Sequence, residues 1–137
     1  MYTIDRTVDA PFDETVERTI DALAEEGFGV LADIDVQATF EAKLGESIDQ
    51  YRILGACNPP LAFEALGEEP RLGTLLPCNV VVYETDDGQV GVSAIDPEEM
   101  LGIVGNAALD PIASEVRERF ERVLDAVATA SAATRAD

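Results

Sequence analysis

Two cysteines carry most of the chemistry open to this chain. Cys57 stands in "GACNPP" and Cys78 in "LLPCNVVV", each followed at once by an asparagine and each within two residues of a proline. A thiolate is both a nucleophile and a soft ligand. The pair therefore supports a reactive thiol, a reversible disulfide, or a soft-metal site of copper(I) type with Met100 as a third sulfur. Asn58 precedes Pro59, which holds it extended, the backbone that a helix N-cap needs. A helix start carries about half a positive charge and favours negative charge beside it, so Cys57 is the better nucleophile. Cys78 instead enters an apolar run that hides a thiol. Asn58 and Asn79 add amide donors and acceptors at the same place, and Arg52 offers a positive charge to an anionic ligand. The candidate ligand or thiol site is thus Cys57, Asn58, Cys78, Asn79, Met100 and Arg52.

The opposing reading is packing. Free cysteine is among the most buried residue types, and strand ends beside prolines are ordinary. Residue types alone favour it. Zinc normally takes four ligands, which two cysteines without histidine do not supply, so no metal is assigned, and no cofactor is named by any motif. Arg52 and Arg71 also have acids close by to pair with, Glu68 and Glu69 among them. Asp96, Glu98 and Glu99 in "AIDPEEM" lack the alternating oxygen ligands and glycine of a calcium loop and read as a solvated turn. Tyr51 and Tyr83 read as packing residues with their hydroxyls at the sheet edge.

Composition removes other functions. The chain has 137 residues with 28 acidic against 9 basic ones, net −19, and no histidine. Nucleic-acid binding needs a basic footprint that is missing. Without imidazole there is no Ser-His-Asp triad and no Cys-His pair. The start "MYTIDRTVDAPF" lacks the order of a signal peptide, and no apolar run is long enough to span a membrane. We expect a cytoplasmic protein. Its acids are spread along the chain rather than gathered in a block, the pattern of salt adaptation in a halophilic archaeon rather than of an acidic module for a basic partner.

The elements that must position the cysteines follow from periodicity. "YTIDRTV" is a strand with Tyr2, Ile4 and Val8 on one face. Pro11 opens a helix whose stripe is Phe12, Val16, Ile20 and Leu23, closed by Gly27. "FGVLADI" is a second strand, and Asp35 caps a short helix ended by Gly45. "QYRILGAC" is apolar on both faces and therefore central. "PPLAFEAL" is a third helix stopping at Gly67, "GEEPRLGTLLP" a loop, and "CNVVVYE" a strand turning through "TDDG" into "QVGVSAI". "DPEEMLGIVGN" is irregular or a short helical turn. Asp110-Pro111 then caps a long helix with the stripe Ile112, Val116, Phe120, Val123, Leu124 and Val127. The order β-α-β-α-β-α-β-β-α predicts one α+β domain over 1–130, a mainly antiparallel sheet with helices on one face, and a frayed tail at 131–137.

"YRILGACNP", "LPCNVVVYE" and "AIDPEEML", in this order and spacing, resemble the family catalogued as domain of unknown function 302. The resemblance implies a curved antiparallel sheet of the TATA-box-binding-protein-like kind and a homodimer. It implies no activity, and the fold name carries no DNA binding to a chain of this charge. The expected function is a small-molecule-binding or regulatory module around the cysteine motifs, without catalysis of its own. The alternatives are a thiol-dependent redox or sulfur-transfer enzyme using Cys57, and a purely structural homodimer whose outer strand and apolar helix faces pair.

The charge makes one outcome measurable. At net −19 the folded chain repels itself at low ionic strength, and salt screens that repulsion. The melting temperature is expected to rise from low to molar potassium chloride; a flat or falling profile removes the salt-adaptation reading.

Overall fold

The computed structural model describes residues 1–129 in full and 130–136 as the continuing backbone of the last helix. The fraying expected of 131–137 lies outside the fully described residues. Strand β1 (Thr3–Val8) buries Ile4 and Val8 and turns Asp5 and Thr7 outward. Tyr2, expected on the buried face, lies before the strand and is 68% exposed. Its carbonyl accepts the amide of Asp96, so it joins the sheet through backbone alone.

Helix α1 (Phe12–Glu25) buries Phe12, Val16 and Leu23. Thr15 and Thr19 lie on the same face because each hydroxyl donates to the carbonyl one turn back, at 2.9 and 2.7 Å, which satisfies the buried oxygen. Strand β2 (Gly29–Asp35) leads into α2 (Val36–Leu44). The Asp35 carboxylate accepts from the Ala38 amide at 2.9 Å, and Gly45 closes the helix at φ +66°, a conformation glycine adopts without a Cβ clash.

Strand β3 (Tyr51–Cys57), helix α3 (Pro59–Glu68) and strand β4 (Cys78–Glu84) follow. Helix α3 runs one residue past Gly67, and the expected loop contains a 3₁₀ turn, Pro70–Leu75, that buries Leu72. A hairpin leads to β5 (Val90–Ile95). The turn expected after it is a helix, α4 (Pro97–Gly102), and α5 (Asp110–Ala136) completes the chain.

All four strand pairings are antiparallel, in the order β1-β5-β4-β3-β2. Directly opposed residues therefore share a face. Ala56, Leu54, Val80, Val82, Val92 and Ala94 turn toward α1 and α5 and are at most 1% exposed. From α5 the stripe Ile112, Val116, Phe120, Val123, Leu124 and Val127 meets them, all buried. Phe28 and Phe120 sit with ring centroids 4.9 Å apart. The other face of the sheet carries Tyr51 stacked on Tyr83, centroids 5.9 Å apart. Among the described residues no helix is long and apolar enough to cross a membrane.

Two strand glycines on that second face differ in what a side chain would meet. A Cβ on Gly55 would lie 2.8 Å from Pro77 Cγ and 3.3 Å from Ala32 Cβ, atoms held by a ring and a backbone. A Cβ on Gly91 would lie 2.5 Å from the Tyr83 ring, the far end of a side chain able to swing into solvent. Gly55→Ala should therefore cost about 1–3 kcal/mol and Gly91→Ala less than about 1 kcal/mol, read from urea denaturation midpoints. Equal losses would show that Tyr83 is as fixed as Pro77.

Candidate functional site

The site is built by one register. Ala56 of β3 lies opposite Cys78 of β4, so Cys57, one residue further on, is diagonal to Cys78 where both strands end. Past Cys57 the chain cannot continue as strand, because Pro59 and Pro60 have no amide to donate to a ladder. Asn58 makes the turn: it is extended (φ −99°, ψ 102°) and its Oδ1 accepts from the Leu61 amide at 3.3 Å. The side chain is buried, 7% exposed, with Nδ2 close against Gly27. There a Cβ would come within 3.0 Å of Nδ2, and φ is +87°. Glycine is needed at that turn on both counts.

Met100 arrives from a different direction. Asp96 caps α4 by accepting from the Glu98 amide at 2.9 Å, and Arg117 of α5 donates from Nε to its other oxygen at 3.2 Å. The acidic cluster is thus a helix cap tied to α5, and among the described residues no group of three or more histidine, cysteine or acidic side chains is placed to hold a metal.

Cys57, Asn58, Cys78 and Met100 line one cavity of about 50 Å³, walled otherwise by aliphatic and aromatic carbon, Phe28 and Leu72 among it. Both thiols are free. Cys78 is buried and Cys57 half-buried. Burial, with a smaller contribution from the neighbouring Cys57 sulfur, pushes the Cys78 thiol up to about 11 from 9.0. A thiol in carbon surroundings keeps its proton because the thiolate loses its hydration there. The folded chain then holds a proton that the unfolded chain gives up. This group's stabilisation is complete below pH 9 and is lost as pH rises toward 11.

Two of the six sequence candidates lie elsewhere. Asn79 is exposed on the face away from α1 and α5, opposite Gly55, because one step along a strand reverses the side chain. Arg52 clamps Asp33 through both carboxylate oxygens, Nε–Oδ1 at 2.7 Å and Nη2–Oδ2 at 2.5 Å. Hydrogen bonding to Arg52 holds the Asp33 carboxyl below its usual range. Arg71 is 90% exposed and pairs with Glu69, the partner its sequence neighbourhood offers.

Sequence reasoning missed the walls. Leu72 lies in a segment read as loop, and its single buried position in a 3₁₀ turn leaves no periodic signal. Phe28, expected in strand β2, precedes it and packs on Phe120. The glycines on either side of it mark the exposed turn from which it dives inward.

No curated protein matches the chain. A crystal structure of an uncharacterised conserved DUF302 protein from Bacillus stearothermophilus superposes with a TM-score of 0.87 at 31% identity, covering 93% of this chain and 98% of the other. The family described as domain of unknown function DUF302 matches residues 4–127, nearly the whole described fold. The cysteine-bearing strands, the cavity and the helix layer all lie inside that span, and the chain belongs to the DUF302 family.

Proposed function

We propose that this domain is a binding module whose ligand site is the sulfur-lined cavity. One observation supports the reading above others: Cys57, Asn58, Cys78 and Met100, from three separate segments, border a single void. Thiols that serve packing alone have no use for a shared void, since unfilled space forfeits contacts on all sides. The size defines the ligand. At about 50 Å³ the cavity exceeds the ~10–15 Å³ that one water needs and falls short of the ~150 Å³ that takes benzene. A compact apolar or soft group fits: a thiol, a thioether or a short alkyl end. Net charge −19 and two free thiols fit the cytoplasm of a salt-accumulating cell, where thiols stay reduced.

Short thiols and thioethers should raise the melting temperature by several degrees at saturation, the scale of about 2.7 kcal/mol at a hundred times Kd. Ala62, on α3, lines the cavity. Ala62→Leu fills it and should abolish the shift while the protein stays folded by circular dichroism. A shift that survives Ala62→Leu, or none with any probe, ends this reading.

A second reading is favoured by the inequality of the thiols: a thiol-dependent redox or sulfur-transfer role using Cys57. Half-buried Cys57 should be alkylated by iodoacetamide well before buried Cys78. Cys78 should react only as pH nears 11 or as the chain unfolds. Mass spectrometry after timed labelling reports each site. If neither labels before unfolding, both are packing residues and thiol chemistry is gone; if Cys78 labels first, burial does not rank them.

A further inference from the structure

Five polar side chains are buried among the described residues, and four of them have partners within the fold. Thr15 and Thr19 bond back to their helix, and Asn58 and Asp96 cap helices. The fifth is Ser93, in the middle of β5 and 9% exposed, whose hydroxyl no described residue hydrogen-bonds. Its neighbours Val92 and Ala94 turn toward the helices, so Ser93 turns to the open face of the sheet. A polar group withdrawn from water without a partner is destabilising.

The open face holds a shallow groove of about 480 Å³, with Ser93, Val81, Ile95 and Asn79 among its lining. That volume lies in the range of small-molecule sites, and the groove shares no residue with the sulfur-lined cavity. All three tyrosines of the chain border it: the stacked Tyr51 and Tyr83, and the exposed Tyr2. Register sets Asp5 directly opposite Ser93, which puts their Cβ atoms roughly 5 Å apart. The Thr3 hydroxyl donates to Asp5 Oδ2 at 3.1 Å, and no described residue donates to Oδ1. Arg6, next in the chain, faces the helices and binds Asp125. Among the described residues Asp5 is the one strand carboxylate on this face. Asp33, Asp35 and Glu84 lie on the other, opposite Leu54, Arg52 and Val90.

We propose that this groove is a second ligand site and that it takes an organic ammonium, a protonated amine carried on a flat apolar body. An ammonium brings three donors and no acceptor. Asp5 Oδ1 and Ser93 Oγ are neighbouring acceptors with no donor of their own, and Asn79 supplies a carbonyl oxygen on the same face. A single carboxylate in an otherwise uncharged groove fixes the polar end of the ligand. Val81, Ile95 and the tyrosine rings receive its body, and a ring face also attracts the cation. The field of a chain at −19 draws cations and repels carboxylates and phosphates. A wholly apolar ligand would cover Asp5 and Ser93 without bonding either, which is unfavourable.

Amide chemical-shift titration with phenethylamine tests this, at a salt concentration where circular dichroism shows the chain folded. Phenethyl alcohol and phenylpropionate carry a similar body with a neutral and an anionic end. The amine should shift residues around Asp5 and Ser93, the alcohol should bind about tenfold more weakly, and the anion should not bind. Rising potassium chloride should weaken the amine. Asp5→Asn should weaken it about tenfold, whereas Asp21→Asn on α1, an equal loss of charge at an exposed site, should leave it unchanged. Ser93→Ala should weaken binding severalfold and melt no lower than wild type, because the hydroxyl it removes bonds nothing in the free protein. Ala62→Leu, which fills the sulfur-lined cavity, should leave amine binding intact, so the two sites stand or fall separately. No shifts with the amine, or a phenylpropionate that binds as tightly, overturns the proposal. Equal losses from Asp5→Asn and Asp21→Asn overturn it too, since they mark diffuse attraction to an acidic surface. A destabilised Ser93→Ala assigns the hydroxyl to the fold and overturns its part in the site.

Discussion

An antiparallel sheet has two faces, and this chain supplies long helices for only one of them. That inequality organises the molecule. Because opposed residues share a face, the pairing of Ala56 with Cys78 and of Leu54 with Val80 commits a whole layer of apolar side chains to one side. Helices α1 and α5 cover it, with Phe120 wholly buried near the centre. Full burial of a side chain of that size contributes about 2–3 kcal/mol, and five more residues of the α5 stripe are buried in the same layer. The cavity lies at the margin of this layer, where α3 and α4 rather than α1 close the sheet.

Charge follows the same division. Each arginine from Arg6 to Arg122 pairs with a carboxylate: Arg6 with Asp125, Arg18 with Glu14, Arg52 with Asp33, and the α5 arginines with Asp96, Glu115 and Glu26. Most of these pairs are partly exposed and contribute about 0–1 kcal/mol apiece, too little to hold the fold. Their effect is local neutralisation of a chain with three times as many acids as bases. Arg117 is the exception in position: its partner Asp96 is buried and caps the helix that carries Met100. One ion pair thereby connects the long helix to the wall of the cavity.

The two thiols show how neighbours in space acquire different chemistry. Cys78 begins an interior strand beneath the helices, and its proton is retained because burial leaves a thiolate there little hydration. Cys57 ends its strand one residue before a helix cap and keeps partial access to solvent. A single diagonal step across the sheet separates the two environments.

The sequence by itself determined the local elements, because local elements depend on near neighbours. Alternation marked β1, runs apolar on both faces marked β3 and β4, the TDDG turn marked β5, helical spacing marked α1 and the α5 stripe, and Asp35 and Asn58 announced their caps through residues three positions away. It also named Cys57, Asn58, Cys78, Asn79, Met100 and Arg52 as one candidate site, since two thiols and a thioether are visible in residue types and the two strand ends in their prolines. Tertiary structure alone decided which candidates meet. Asn79 and Arg52 stand beside the motifs in the chain, yet strand alternation sends Asn79 to the opposite face and a carboxylate on the neighbouring strand claims Arg52. Leu72, Phe28 and α4 join the cavity from segments without periodicity, where burial is set by what packs on them. The open, nearly uncharged sheet face was hidden for the same reason: its residues come from separate strands, and only the register assembles them into a surface.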